Sequence, residues 1–214
     1  MTSIIPLTPS LILRAYAAGV FPMARTREDD EVLWIDPKRR GVIPLEEFHV
    51  PRSLVKTLRH KPFEVRCDTA FAEVIAACAA PRPGHEETWI NEPIEELFNE
   101  LHAMGLAHSV ECWRDGELVG GLYGLALGAA FFGESMFSRR TDASKVALCH
   151  LVAILKAGGF LLLDTQFITE HLSQFGAREI PRGEYQKRLA EALRFEAVFQ
   201  GLSEPLTHSS TQTS

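Results

Sequence analysis

The chain has 214 residues, 46% of them hydrophobic, with a formal net charge of −6. It is long enough to bury one sizeable core, or a core plus a small appended lobe. The acidic balance argues against a protein that coats nucleic acid, since phosphate binding needs clustered cations. No apolar run approaches the roughly 20 residues of a membrane span, and Met1 to Leu7 lacks the basic and apolar regions of a secretory signal, so the expected compartment is the cytoplasm, with no membrane partner.

Thr8-Pro9-Ser10 precedes an apolar run that ends at Gly19. A capping hydroxyl, a proline at the first helical position and a closing glycine predict a short helix. Val32 to Ile35 and Val42-Ile43 flank the basic segment Asp36 to Gly41, which reads as two short strands around a turn. Pro51 opens a second helix that stops before Pro62. Short elements and frequent prolines mark residues 1–60 as a small N-terminal lobe.

Residues 61–206 have a cleaner rhythm and form the expected main domain. Phe63 to Cys67 alternates as a strand, Ala70 to Ala80 is a small-residue helix, Pro81 to Gly84 breaks the chain, and Pro93 to Met104 is a further helix. Arg114-Asp115-Gly116 between the apolar runs 108–113 and 117–123 is a strong hairpin signal. Ala129 to Met136 is another strand, Asp142 to Ala157 an apolar helix closed by Gly158-Gly159, and Phe160 to Asp164 a last strand. The order implies an α+β fold, a mixed sheet with helices packed against it. Residues 207–214 read as a disordered polar tail.

Three polar residues stand where the pattern calls for buried strand ends: Glu134, Asp164 and Gln166. Burying an unpaired carboxylate or amide costs about 1–3 kcal/mol or more, so each needs a partner or a cavity. The plain alternative is a buried hydrogen-bond strut. Four widely spaced cysteines, Cys67, Cys78, Cys112 and Cys149, read as reduced buried hydrophobes, and no histidine pair has a recognised ligand spacing, so no metal or other cofactor is expected. Basic clusters occur at Lys38-Arg39-Arg40, at Arg139-Arg140 with Lys145, and at Arg178, Arg182, Lys187 and Arg188. Most such clusters are solvated surface, though a few phosphates are within their capacity.

A hairpin, a strand, a central helix and another strand is also the order of the acetyltransferase-like (GNAT) fold. The turn before the central helix, Ser138 to Lys145, carries no glycine to cradle a pyrophosphate, which disfavours coenzyme A.

These residues closely resemble the bacterial leucyl/phenylalanyl-tRNA–protein transferases. The resemblance runs through Tyr16 to Pro22, Thr88-Trp89-Ile90, His108 to Glu111, Leu118 to Gly124, Phe132 to Ser138, Ala143-Ser144-Lys145 and Ile180-Pro181-Arg182. It implies a small N-terminal domain, an acetyltransferase-like C-terminal domain, and transfer of Leu or Phe, Met more weakly, from aminoacyl-tRNA to proteins that begin with Arg or Lys, marking them for degradation. It points to Leu122, Phe131 and Leu148 as the aminoacyl pocket. The chain departs from the family at Met23, where tryptophan is frequent, and at the single Trp34, where some members have a pair.

Aminolysis of an ester needs chiefly alignment. On this reading Asp164 takes or relays the amine proton, Gln166 orients by hydrogen bonds, and Glu134 binds either the acceptor terminus or the ribose hydroxyls. Trp89 is a stacking platform for the terminal adenine or a seal between lobes; Tyr16 lines the adenosine site or anchors the first helix. Arg139, Arg140 and Lys145 are the expected tRNA phosphate contacts, with Arg182 a weaker candidate. Two alternatives stand beside this reading: an acyl-CoA N-acyltransferase, and a non-catalytic module that recognises basic N-termini.

Overall fold

In a computed structural model of the chain, the residues described are 7–29, 31–81 and 87–201. The first helix, α1, is Pro9–Ala17, and Thr8 Oγ1 accepts from Leu11 N–H at 3.3 Å, as its capping hydroxyl predicts. Strands β1 (Phe21–Ala24) and β2 (Val32–Ile35) pair antiparallel as a sheet of their own. The strand expected beyond the basic turn is β3 (Arg39–Ile43), which joins a different sheet, so β2 and β3 do not pair.

Then follow α2 (Arg52–His60), β4 (Glu64–Cys67), α3 (Phe71–Ala79) and α4 (Glu92–Ala103). The hairpin is β5 (Ala107–Arg114) and β6 (Glu117–Leu127), turned by Asp115 and Gly116 at φ 54° and 80°, the left-handed values that an Asp-Gly turn supplies. Strand β7 (Ala130–Ser138) leads through α5 (Ala143–Ala157) to β8 (Leu162–Gln166). Three further elements, α6 (Glu170–Ser173), β9 (Arg178–Pro181) and α7 (Arg182–Ala192), complete the order, and none of them was expected from periodicity.

The large sheet has seven strands in the order β4-β5-β6-β7-β8-β3-β9, mixed because β7 and β8 run parallel across the α5 crossover while the other neighbours are antiparallel. β3 falls inside residues 1–60 yet lies between β8 and β9. One face of the sheet is covered by α1, α3, α4 and α7, through Ile12, Val74, Ile94 and Leu189; the other by α2 and α5, through Leu54, Leu151 and Leu155. Side-chain alternation along the strands divides the apolar residues between the two cores, Leu122 to one and Tyr123 to the other. No helix among the described residues is long and apolar enough to cross a membrane. The 207–214 tail lies outside the described residues.

Candidate active site

The parallel pair β7/β8 comes apart part way along. Its last paired residues are Phe132 and Asp164, yet β7 continues to Ser138 and β8 to Gln166. A wedge opens between the strands beyond that point. Two irregularities aim side chains into it. Against β6, Tyr123 faces Ser135 and Gly124 faces Gly133, which leaves Glu134 as the extra residue of a bulge. Against β3, Gly41 faces Gln166 and Val42 faces Asp164, which leaves Thr165 unpaired. Bulges re-aim side chains in this way beside functional sites. The second one explains Gly41, because a Cβ there would stand 2.7 Å from the carbonyl carbon of Phe167 and 2.9 Å from Thr165 Oγ1.

The wedge holds a cavity of about 510 Å³, in the range of ligand sites. Its apolar wall includes Phe21, Met23, Leu122, Met136, Leu148, Leu151, Leu163, Phe167 and Leu172, with Trp89 at one side and Glu134, Gln166, Thr165 and His171 as polar groups. Phe167, 45% exposed, makes an edge contact with Phe21 at 5.7 Å between ring centres. The hydroxyls of Tyr123 and Thr165 and Nε2 of His171 are buried without a partner among the described residues, and all three residues line the cavity. Buried polar groups left in that state at a cavity wall are available to a ligand.

Glu134, Gln166 and Asp164 are brought together. Gln166 Nε2 donates to Glu134 Oε1 at 3.2 Å, and Tyr16 OH donates to the same oxygen at 2.8 Å. Asp164 lies behind them, fully buried. Its Oδ1 accepts from the Gln166 backbone N–H at 2.8 Å, and its Oδ2 from Tyr185 OH at 2.8 Å. Arg40 completes the arrangement with Nε at 2.9 Å from Oδ1 and Nη2 at 2.7 Å from Oδ2. The aspartate thereby stabilises the turn at Gln166, whose φ is 56°. Burial pushes the Glu134 carboxyl up to about 8; the Asp164 charge adds to the rise, while the Tyr16 hydrogen bond and the Arg40 charge oppose it. Burial and then the Glu134 charge raise the Tyr16 phenol well above its ordinary value, so it serves as a hydrogen-bond donor.

The other expected site residues separate. Leu122 and Leu148 line the cavity, whereas Phe131 lies behind it, edge-on to Phe160 at 6.1 Å and stacked on Phe199 at 5.7 Å. Trp89 lines the cavity; Tyr16 is fully buried, edge-on to Phe132 at 4.9 Å, and reaches the site only through Glu134. Arg139 Nη1 donates to Leu118 O at 3.0 Å and its guanidinium sits 5.3 Å from the Phe137 ring; Lys145 pairs with Asp142 at 3.0 Å; Arg140 is exposed. Arg182 pairs with Asp36 and Arg178 with Glu47, while Arg40, read from sequence as part of a surface cluster, is 1% exposed. Its only local signal was its place one residue before the Gly-Val-Ile run, in a chain that had also to neutralise a buried aspartate. Among the described residues no group of three or more His, Cys, Asp or Glu side chains is placed to hold a metal ion. Burial pushes the thiols of Cys67, Cys112 and Cys149 up to about 12, which leaves them inert.

An apolar cavity with a carboxyl and an amide at its polar end is a site of the kind that seats a large aliphatic or aromatic side chain and leaves the attached polar group beside them. The family model described as leucyl/phenylalanyl-tRNA protein transferase matches residues 42–190, and the model of that family's N-terminal domain matches residues 6–38. The leucyl/phenylalanyl-tRNA–protein transferase of Paramagnetospirillum magneticum is 67% identical over 91% of this chain and 93% of its own length. Its namesake from Phenylobacterium zucineum is 66% identical over 89% and 86%, and that from Maricaulis maris 58% identical over 95% and 96%. The chain belongs to the leucyl/phenylalanyl-tRNA–protein transferase family. Among solved structures, the C-terminal domain of a putative lysylphosphatidylglycerol synthetase from Agrobacterium fabrum covers 92% of this chain and 60% of its own length at 13% identity and a TM-score of 0.38, a likeness too slight to define the fold.

Proposed function

We propose that this protein transfers Leu or Phe, and Met more weakly, from aminoacyl-tRNA to the α-amine of proteins that begin with Arg or Lys, marking them for degradation. The observation that carries the reading is the Glu134–Gln166 contact at the polar end of an apolar cavity. The donor side chain fills the space among Leu122, Leu148, Leu151 and Leu163, and its ester carbonyl lies at Gln166. One methylene in such a pocket changes binding by about 1–3 kcal/mol, which suits a site that takes more than one large apolar residue.

Glu134, as carboxylate, takes a proton from the acceptor ammonium. Its value of about 8 lies close to the ordinary range of an α-amine, about 7.7–8.0, so the transfer is near balance. The freed amine attacks the ester carbonyl carbon while Gln166 donates to the developing oxyanion. The C–O bond to the ribose then breaks, and the surplus proton on nitrogen passes to the departing ribose oxygen. Alignment supplies most of the acceleration, as effective molarities of about 10⁵ M or more allow. Asp164 acts from behind, fixing the Gln166 turn, and Glu134 carries the proton.

Trp89 offers its face to the terminal adenine. Arg140, with Arg139 and Lys145 beside it, meets the phosphates near the acceptor end. The exposed cations of α2, Arg52, Lys56 and Arg59, extend that surface: they make no ion pair among the described residues, and Thr57 Oγ1 ties α2 to Asp142 at the start of α5 at 3.0 Å. The diverging parallel pair joined by α5 supports an acetyltransferase-like main domain behind a small N-terminal one. The test is to mix labelled Leu-tRNA with an Arg-initiated protein: label should enter the protein, and should not enter the same protein initiated by Ala. Equal labelling of both, or of neither, rejects the reading.

A further inference from the structure

We propose that Arg40 is the positioning residue that holds Glu134 and Gln166 in register for transfer, acting through Asp164 on one side and through the end of α1 on the other. The inference rests on the transfer reading above. Arg40 does not line the cavity, yet it closes a ring of hydrogen bonds around the groups that do. Its Nε and Nη2 grip Asp164, whose Oδ1 holds the Gln166 N–H, and Gln166 reaches Glu134. Its Nη1 donates to Gly19 O at 2.9 Å, Gly19 N–H donates to Tyr16 O at 2.9 Å, and Tyr16 OH returns to Glu134. The guanidinium is fixed between the rings of Phe21 and Tyr185, each 4.5 Å from its central carbon.

Such a pair is a poor device for stability alone, because desolvating both charges offsets much of their attraction and well-packed apolar residues do as well. It does give a single geometry. Only a planar fork reaches Asp164 with two donors while a third points to Gly19, so lysine keeps the charge and loses the ring. The charge also helps to hold down the Glu134 carboxyl, which burial and Asp164 raise and the Tyr16 bond lowers.

The experiment measures transfer by Arg40→Lys and Arg40→Gln at a temperature at which circular dichroism shows each variant folded. For Arg40→Lys, kcat should fall about 10- to 100-fold, with KM for Leu-tRNA within about twofold of wild type. In a Gln166→Ala background the same change should cost less than about threefold, because both act through one arrangement. Arg40→Gln should in addition move the acid limb of the pH–rate profile upward, which a merely structural role would not do. Wild-type kcat in either folded variant, full multiplication of the two losses, or failure of both variants to fold at any temperature overturns the inference. An inactive wild-type protein would instead reject the transfer reading itself.

Discussion

Glu134 and Gln166 meet across a gap between strands that have ceased to pair: the 3.2 Å contact from Nε2 to Oε1 lies beyond the last β7/β8 residue pair, Phe132 and Asp164. Neither side chain points there by regular strand geometry. Glu134 is a bulge residue, and Gln166 ends its strand at positive φ. The strands' own departure from regularity therefore builds the polar end of the site.

Glu134→Gln should abolish transfer and make the protein more stable at pH 8. The carboxyl's folded value of about 8 lies above its ordinary 4.5, so ionising it in the fold costs stability; that cost is absent below about pH 4.5, grows with pH, and is complete above about pH 8. The variant never incurs it. Thermal melts should coincide with wild type near pH 4 and exceed it at pH 8, by about 2–4 °C for each kcal/mol relieved. Equal melting at both pH values would contradict the assignment.

The wild-type kcat/KM profile should rise with pH through a limb near 8, the value of Glu134. Tyr16→Phe removes the hydrogen bond that lowers that value, so its limb should move upward. A limb that stays in place would separate Tyr16 from the titrating group.

Leu148→Ala enlarges the cavity and should shift preference from Leu toward Phe, by up to about tenfold in relative kcat/KM. Phe131→Ala should leave that preference unchanged and cost about 3–5 kcal/mol of stability in urea unfolding, since its ring packs behind the wall against Phe160 and Phe199. The reverse pattern would move the pocket from Leu148 to Phe131.

Neutralising Arg52, Lys56 or Arg59 on α2 should raise KM for aminoacyl-tRNA several-fold and reduce the slope of log affinity against log salt by about 1 each. With a minimal donor that ends at the terminal adenosine the same variants should match wild type. Equal loss with both donors would remove α2 from the tRNA surface.

The elements written in local pattern are legible in the sequence: the α1 cap at Thr8, the Asp115-Gly116 hairpin, and the apolar α5 with glycines behind it. The polar residues Glu134, Asp164 and Gln166 are legible too, because a charged or amide group in a buried strand is conspicuous in a linear pattern, although only Gln166 ends its strand and the other two lie within β7 and β8. What depends on distant pairing is not. β3 carries Arg40 into the sheet between β8 and β9, but a basic run in sequence looks the same whether it is solvated or swallowed by a remote aspartate. β9 buries only Ile180 and so has no alternation to detect. The two bulges exist only relative to partner strands, and Phe131 and Leu122, apolar strand residues of the same core, differ only in that Phe131 lies where β7 and β8 still pair and Leu122 faces the part of β7 beyond that point.

The most direct test is a crystal structure of the protein with an adenosine that carries phenylalanine in a stable 3′-amide linkage. The phenyl ring should lie among Leu122, Leu148, Leu151 and Leu163, the amide oxygen within hydrogen-bond distance of Gln166 Nε2, and the adenine against Trp89. A ring bound outside the wedge, or a carbonyl turned away from both Gln166 and Glu134, would contradict the account.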